Sequence, residues 1–379
     1  MVSPKRHTVH SKSSKRQACT ADGAFKPTTA DDCIYVSGQD GEKDYAAFGA
    51  HVDDLLAIGD EEGLTKIEST LTRKFKITKE VNPAVVTGVQ IERNREKKWL
   101  KLHQGAYISD LLARHNMTDC RAVDTPMDPG TARALMLLPT ASTDTPPDSG
   151  VVKKYQSLVG AFIWLLKTRP DMMFTINLVS RFMKNPTQKH LDLISGRPLR
   201  YLKGTVDHGL VFEADDGEWA LSGASDSDLA GCLNTSKSTS GCFSKLGKSG
   251  AVMCSSSLEK KISTSTGQAE TYAMQSLVKE VVWERHLLTE LRFPQSSPTF
   301  LATDNDGVLK QSTKAVNHSM AKHYRIAQAY IRSMVNNQTI KVDRVDTEQN
   351  PADLLTKALH APAFLRHRAA IMGPQTPVM

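Results

Sequence analysis

The run Trp219-Ala-Leu-Ser-Gly-Ala-Ser-Asp-Ser-Asp-Leu-Ala-Gly231 decides the fold of the last third of the chain. Its first half is strand-like and ends at Asp226. Three further acids stand at the ends of predicted elements: Glu270 opens a helix, Asp304 ends a strand, and Asp353 falls in the first turn of another helix. Singly, each acid has an ordinary explanation, because carboxylates favour helix N-termini and the turns that follow strands. As an ordered set of four, they predict one shared site.

Hydrophobic periodicity predicts an α/β domain around these acids. We expect strands over 219–225, 241–246, 250–254, 298–303 and 339–346, and helices over 268–291, 320–336 and 350–358. Glu270 lies on the apolar stripe of the first helix, one turn before Met274, so its carboxylate should point at the sheet. Because burying an unpaired carboxylate is costly, we expect a positive group to meet it. The stripe consists of Ala273, Met274, Leu277, Val278, Val281, Val282, Leu288 and Leu291.

Six motifs follow one another in this region. They are Ser225-Asp-Ser-Asp-Leu-Ala-Gly231, Lys237-Ser-Thr-Ser-Gly241, Ser265-Thr-Gly-Gln-Ala-Glu270, Thr303-Asp-Asn305, Lys322-His323 and Ala352-Asp-Leu-Leu-Thr-Lys357. Together they resemble the ribonuclease H domain of copia-type long-terminal-repeat retrotransposons, over residues 218–372. The resemblance implies a mixed five-stranded sheet flanked by helices, with four carboxylates at one site: Asp226, Glu270, Asp304 and Asp353. One departure is Cys254, where the family usually has Trp, and we expect it to affect packing rather than chemistry.

The chemistry that the resemblance implies suits these residue types. Hydrolysis of a phosphodiester needs an activated water and a stabilised leaving oxygen, and two divalent ions about 3.5–4 Å apart supply both. Mg²⁺ prefers oxygen ligands to those of His or Cys. The resemblance therefore implies a two-metal Mg²⁺ site that cuts the RNA strand of an RNA–DNA hybrid, which the 2′-hydroxyl distinguishes from DNA. We expect the four acids to converge on an open acidic surface, with basic residues around it rather than within it.

Two residues outside the acid set are candidates for substrate contact. Lys322 and His323 would face the hybrid. Alternatively, His323 is a structural residue near a helix start.

A second resemblance covers residues 30–127. Here His51-Val-Asp-Asp-Leu-Leu56 is followed by Phe75-Lys-Ile77, Gly88-Val-Gln-Ile91, Leu102-His-Gln-Gly-Ala-Tyr-Ile108 and Thr125-Pro-Met127. The series resembles the end of the palm, and the thumb, of a copia-type reverse transcriptase. Asp53 and Asp54 would be its metal-binding pair, with His51 beside the primer end where the family usually has Tyr. An Asp pair in a turn is also ordinary turn chemistry. Polymerase chemistry needs a third Asp on an upstream strand, and none is found in a suitable context, so we expect a truncated and inactive polymerase.

The remaining segments have weaker patterns. In residues 1–29, several Lys and Arg residues precede the first acidic residue. We expect a disordered tail here, with a nucleic-acid-binding arm or a nuclear localisation signal as alternatives. Residues 128–217 begin with a linker rich in Pro, Thr and Asp and continue with helical spacing. These helices resemble the connection between polymerase and nuclease in the same family, which makes the rest of a Pol polyprotein a further expected partner.

Composition excludes several classes of protein. The net charge of +7 and the pI near 9.0 suit a polyanionic partner. The six cysteines lack a C-x-x-C pair, which argues against a zinc site and a secreted disulfide scaffold. The N-terminus is polar, and the most apolar run, Leu158–Leu166, is too short for a membrane helix. We therefore expect an intracellular protein, cytoplasmic or nuclear, without a membrane partner.

The sequence favours a Mg²⁺-dependent endonuclease acting on RNA–DNA hybrids, within a retrotransposon Pol polyprotein. The alternative belongs to another class, a non-catalytic retroelement relic or nucleic-acid-binding fragment. Both would bind nucleic acid, so metal-dependent cleavage is the property that separates them.

Overall fold

The computed structural model describes residues 25–37, 45–51, 54–73, 75–139, 147–214, 219–314 and 322–375, although not the side chains of Lys322 and His323. The chain forms two compact units. The N-terminal unit ends at Thr87 and also includes Val282–Ser296. The C-terminal unit comprises Gly88–Val281 and continues from Ser297.

The N-terminal unit contains a four-stranded antiparallel sheet in the order β1-β2-β3-β4. Its core joins the sheet to helix α1 through Phe25, Tyr35, Phe48, Ile67 and Leu71, with Tyr35 stacked on Phe48 at 4.8 Å between ring centroids. Phe25 is buried there, although it lies inside the segment predicted to be a disordered tail. The elements are β1 (Phe25–Pro27), β2 (Ile34–Ser37), β3 (Ala46–His51), β4 (Asp54–Gly59), α1 (Glu61–Thr72) and β5 (Val85–Val86).

The last turns of a long helix complete the N-terminal unit. Glu290 accepts hydrogen bonds from the backbone N–H groups of Thr29 (2.7 Å) and Ala30 (3.0 Å). The indole N–H of Trp283 donates to the carbonyl of Ala30 at 2.9 Å. The turn after β1 is therefore held by side chains more than 250 residues away in sequence.

The C-terminal unit begins with an antiparallel sheet and a set of helices. Strands β6 and β7 pair with each other, and β7 also pairs with β8. Strand β8 lies far along the chain, and its register with β7 runs from Trp99↔Glu213 to His103↔Gly209. Helix α6 continues through Pro198 in its interior. The elements are β6 (Val89–Asn94), β7 (Trp99–His103), α2 (Gly105–Arg114), α3 (Pro129–Leu137), α4 (Ser149–Leu165), α5 (Met173–Ser180), α6 (Gln188–Gly204) and β8 (Gly209–Glu213).

A five-stranded mixed sheet occupies the rest of the C-terminal unit. Its order is β11-β10-β9-β12-β13, with β9 to β11 antiparallel and β9, β12 and β13 parallel. The predicted fold class, α/β with a mixed five-stranded sheet flanked by helices, is confirmed. The elements are β9 (Leu221–Asp228), β10 (Thr239–Leu246), β11 (Ala251–Leu258), α7 (Thr266–Glu290), β12 (Thr299–Thr303), α8 (Asp306–Thr313), α9 (Lys322–Asn336), β13 (Ile340–Arg344) and α10 (Ala361–Met372).

A hydrophobic core runs through the C-terminal unit. It includes Tyr155 and Leu199 from the helices and Phe243, Leu355 and Ile371 from the region of the five-stranded sheet. The division of the chain into four segments at 29, 127 and 217 stays a prediction, since packing by itself does not define functional segments. Among the described residues, no helix is long and apolar enough to cross a membrane.

Candidate metal centre

Two of the predicted acids lie at the same edge of the five-stranded sheet. Asp226 is in β9, and Asp304 directly follows β12. The two strands are parallel neighbours, with Leu301 opposite Gly223 and Ala302 opposite Ala224. Asp304 and Asp226 are each two residues beyond the pair Ala302 and Ala224. Because the two strands are parallel, the residues at these two positions also lie beside each other. The topology thus brings Asp226 and Asp304 side by side across 78 residues of sequence.

Helix α7 delivers the third acid. Ala269, Ala273 and Leu277 are fully buried, which fixes the apolar face of the helix against the protein interior. Glu270 is on this face and is only 4% exposed. Its Oε1 accepts a hydrogen bond from the backbone N–H of Ser227 at 3.3 Å. The carboxylate therefore points at β9, as its place on the stripe predicts.

A short 3₁₀ helix, Pro351–Leu355, places the fourth acid. Asn350 fixes its start, since its side chain accepts from the N–H of Ala352 at 3.2 Å and donates to the carbonyl of Ser225 at 3.0 Å. The predicted helix over 350–358 is thus a single tight turn anchored next to Asp226. Asp353, in this turn, is 7% exposed.

Close packing of this turn on the sheet depends on a glycine. Gly241 pairs with Asp226 across β10 and β9. A Cβ at Gly241 would lie 2.7 Å from both the Cβ of Leu355 and the Cγ2 of Thr356. Real Cβ atoms do not approach so closely, so the absence of a side chain here allows the 3₁₀ turn to reach the acid site.

Three carboxylates form a compact set of oxygen ligands. Asp226, Glu270 and Asp304 each offer one oxygen, and these atoms all lie within 4.8 Å of one another. Burial, followed by the charges of Asp226 and Asp304, raises the pKa of Glu270 to about 9. Burial, followed by the charge of Asp353, raises the pKa of Asp226 to about 6. The acids are therefore held together in a buried place where ionisation of all of them is unfavourable.

The oxygens of this set fit a hard divalent cation. Within the part of the chain that the structure describes, Oε2 of Glu270 is buried and has no hydrogen-bond partner. Buried polar atoms are rarely left without a partner, because the loss of hydration is uncompensated. An all-oxygen set with a free buried carboxylate oxygen is the donor chemistry that Mg²⁺ prefers. The positive side chain that acts on Glu270 is Lys357, whose charge lowers the pKa of this carboxyl by less than burial and the neighbouring acids raise it.

The predicted surroundings of the site are wrong in two respects. The carboxylates do not lie on an open surface, since Asp226, Glu270 and Asp353 are buried and only Asp304 is half-buried. A basic residue also lies within the cluster: Nζ of Lys357 is 2.9 Å from Oδ1 of Asp353. Both differences follow from the 3₁₀ turn, which covers the sheet edge and carries Lys357 with it.

Several functional contacts were not predicted individually. The hydroxyl of Thr356 donates to Oδ2 of Asp226. Asp228, two residues along β9, is half-buried, and burial first and the charge of Asp226 raise its pKa. Thr356 and Lys357 belong to the motif that identified Asp353, and the i, i+4 spacing of Asp353 and Lys357 was a usable signal for an ion pair.

The predicted polymerase residues lie elsewhere in the chain. His51 ends β3, Asp54 begins β4, and the two pair across the hairpin with both side chains exposed. Asp53 lies outside the described residues. Lys322 and His323 are in α9, but their side chains also lie outside the description. The roles proposed for these residues stay predictions.

Comparison with known proteins identifies the family. A family model described as reverse transcriptase (RNA-dependent DNA polymerase) matches residues 12–129. The retrovirus-related Pol polyprotein from transposon TNT 1-94 of Nicotiana tabacum is 32% identical over 340 residues, which are 88% of this chain and 25% of that protein. An uncharacterized mitochondrial protein of Arabidopsis thaliana is 32% identical over 235 residues, 62% of this chain and 92% of that protein. The chain belongs to the copia-type retrotransposon Pol family.

This Pol-family chain spans only about a quarter of the length of the TNT 1-94 polyprotein. Among solved structures, LC11-RNase H1, isolated from compost, is 15% identical with a TM-score of 0.29. That match covers 36% of this chain and 93% of the ribonuclease chain.

Proposed function

We propose that the acid cluster is the active site of a Mg²⁺-dependent endonuclease that cuts the RNA strand of RNA–DNA hybrids. The observation that carries the proposal is the convergence of Asp226, Glu270 and Asp304, whose carboxylate oxygens lie within 4.8 Å of one another. The buried, unpartnered oxygen of Glu270 and membership of the Pol family support it.

Each acid has a distinct part in the proposed site. Two bound Mg²⁺ ions would supply the activated water and the stabilisation of the leaving oxygen. Asp226 interacts electrostatically with both Glu270 and Asp353, so its carboxylate would be shared between the two ion positions. Glu270 and Asp304 would complete the first position and Asp353 the second.

The substrate follows from family membership and charge. The chain carries a net charge of +7, which favours a polyanion. A nuclease that selects RNA in a hybrid must contact the 2′-hydroxyl, the group that DNA lacks. We place Lys322 and His323 among the groups that would touch the hybrid, and Asp53, Asp54 and His51 at a separate polymerase site that would need a third carboxylate.

The test is cleavage of a hybrid by the full chain. With RNA labelled at one end, the protein should produce RNA fragments in Mg²⁺ and none in EDTA. Asp226→Asn should lower the rate by orders of magnitude, because it removes a charged ligand shared by both ion positions. The matched control is Asp306→Asn, at an exposed acid two residues after Asp304 that is ion-paired with Arg344 outside the cluster.

The control variant should keep wild-type activity. Equal cleavage by wild type and Asp226→Asn would contradict the proposal, whether the activity came from another site or from a contaminant.

One observation favours the non-catalytic alternative. The ammonium group of Lys357 forms an ion pair with Asp353, as a site that no longer binds two ions would allow. On that alternative, wild type and Asp226→Asn would bind the hybrid alike, and neither would cut it. The same purified proteins, compared in binding and cleavage assays, separate the two functions.

A further inference from the structure

The carboxylates on the two sides of Asp226 have different neighbours. On the side of Glu270 and Asp304, Oε2 of Glu270 lacks a hydrogen-bond partner among the described residues. On the side of Asp353, two side chains that follow the 3₁₀ turn contact the carboxylates. Oδ2 of Asp226 accepts from Thr356, and Oδ1 of Asp353 lies 2.9 Å from Nζ of Lys357. Among the described residues, Oδ1 of Asp353 also makes no hydrogen bond, so its contact with Lys357 is an ion pair. A positive charge of the chain itself therefore lies beside Asp353.

Lys357 is suited to stand where a cation would bind. Burial disfavours its charge, but the carboxylates of Asp226, Asp353 and Asp228 outweigh burial and hold its pKa above the usual value. Two of these acids, Asp226 and Asp353, are the proposed ligands of the second ion. Its side chain is nevertheless 38% exposed, so the long stem has a route into solvent. A Lys ammonium is a compact point charge on a flexible stem, and it can leave without disturbing the backbone.

We propose that Lys357 occupies the second cation position in the metal-free protein, so that the first divalent ion binds at Asp226, Glu270 and Asp304 and the second must displace Lys357 from Asp353. This inference rests on the proposed function, because it assigns the order in which that same site is filled. Lys357 is a positioning residue: it holds Asp353 in place while the position is vacant and sets the affinity for the second ion.

The two ions should then differ in affinity for a physical reason. The first ion meets three clustered carboxylates whose mutual repulsion it relieves. The second must replace an existing ion pair and bind near a displaced positive charge. A unit charge about 5 Å from a divalent ion weakens binding by about tenfold even at the dielectric constant of water.

The experiment counts bound metal and does not depend on activity. Mn²⁺ serves as the probe, and free Mn²⁺ is followed by electron paramagnetic resonance during titration of the full chain. Wild type should show one stronger and one weaker site. Lys357→Met keeps most of the stem and removes the charge, so the weaker site should tighten by about tenfold or more while the stronger site changes little.

Two controls define what the shift means. Lys357→Arg keeps the charge and should leave the second site weak. Lys341→Met removes a lysine from an exposed ion pair with Asp343 on β13, at 3.5 Å, and should change neither site. Circular dichroism and thermal unfolding establish that each variant is folded, and Lys357→Gln provides a second neutral variant with a hydrogen-bond donor.

The outcomes separate this inference from the function on which it rests. If one Mn²⁺ binds tightly and neither neutral variant strengthens the second site, the role of Lys357 is refuted and the metal site stands. If folded wild type binds no Mn²⁺, the proposed function fails and this inference fails with it.

Discussion

The repulsion among the buried acids predicts an unusual pH dependence of stability, which Glu270→Gln should remove. The pKa of Glu270 is raised to about 9 in the folded protein, by burial first and by Asp226 and Asp304 after it. Its ordinary value, and so its value in the unfolded chain, is near 4.3. A raised folded pKa means that the folded state holds a proton that the unfolded state releases. The contribution to stability is therefore complete below pH 4.3 and is lost as the pH rises toward 9.

The size of the effect follows from this difference. Between pH 5 and pH 8 the unfolded carboxyl is largely ionised and the folded one largely protonated, so stability falls by about 1.4 kcal/mol for each pH unit, or about 4 kcal/mol in all. Entry of water or movement of the acids apart would reduce the loss. Gln keeps the shape and the carbonyl oxygen that accepts from Ser227, and it carries no charge at any pH. The stability advantage of Glu270→Gln over wild type should therefore grow by about 2–4 kcal/mol between these pH values.

The assay is urea unfolding in EDTA at several pH values, followed by tryptophan fluorescence. Comparison with the variant is essential, because other groups titrate in the same range. Burial first lowers the pKa values of His208 and His367 to about 4, and their contribution is lost as the pH falls, in the opposite direction. These groups are common to both proteins and cancel. Glu280→Gln, at an exposed position on the same helix, is the matched control and should show no pH-dependent difference.

Metal should reduce the stability advantage of Glu270→Gln over wild type at pH 8. An ion that binds only the folded state stabilises it by about 2.7 kcal/mol at a hundred times its dissociation constant. Wild type should gain this from Mg²⁺ at pH 8, and Glu270→Gln should gain less because it has lost one ligand charge. A constant difference between wild type and Glu270→Gln from pH 5 to pH 8 in EDTA would refute the reasoning, since it would mean that Glu270 is not held beside other acids.

Three other substitutions test how the site and its support are built. Asn350→Ala should lower the free energy of unfolding by about 1–3 kcal/mol and reduce hybrid cleavage, because the contacts to Ser225 and Ala352 that place the 3₁₀ turn are lost. Urea unfolding measures the stability and initial rates measure the cleavage. Unchanged values of both would contradict the anchoring role of Asn350. Gly241→Ala should destabilise by about 1–3 kcal/mol through overpacking, whereas Gly160→Ala, where a Cβ meets nothing within 4 Å, should be neutral or stabilising in the same unfolding assay. Arg169→Met should destabilise by about 3–5 kcal/mol, because it removes the charged partner at 2.8 Å from the buried carboxylate of Asp171 and leaves only the hydroxyl of Tyr201 donating to it. A change in unfolding free energy below about 1 kcal/mol would show that Tyr201 alone satisfies Asp171.

The long helix shows why part of the site could be predicted from the sequence. An apolar stripe fixes which face of α7 is buried, and Glu270 on that stripe could only point inward. Asp304 at the end of a strand likewise had to lie at a sheet edge. The family resemblance supplied the mixed five-stranded sheet and the shared site, which the spacing of the acids alone could not.

The rest depended on contacts between distant segments. The observed strands β9 and β10 include Ser227 and Ser240, which lie beyond the predicted ends. Both are buried, and buried polar residues break the alternation that predicts strands. The 3₁₀ turn was predicted as a longer helix, since its true length is set by the bond between Asn350 and Ser225. Helices α8 and α10 were not predicted at all. The burial of the acids and the place of Lys357 beside Asp353 both depend on the position of this turn. They could therefore not be predicted from the sequence, which does not give that position.

The position of a bound ion would show whether Asp226, Glu270 and Asp304 form a metal site. Crystals of the full chain grown with Mn²⁺ can be measured at the manganese absorption edge, where anomalous scattering places the metal independently of the surrounding density. We predict a strong peak coordinated by carboxylate oxygens of Asp226, Glu270 and Asp304, with a weaker peak beside Asp353 at higher Mn²⁺ concentration. A saturating Mn²⁺ concentration that left these three carboxylates without a metal would contradict the account.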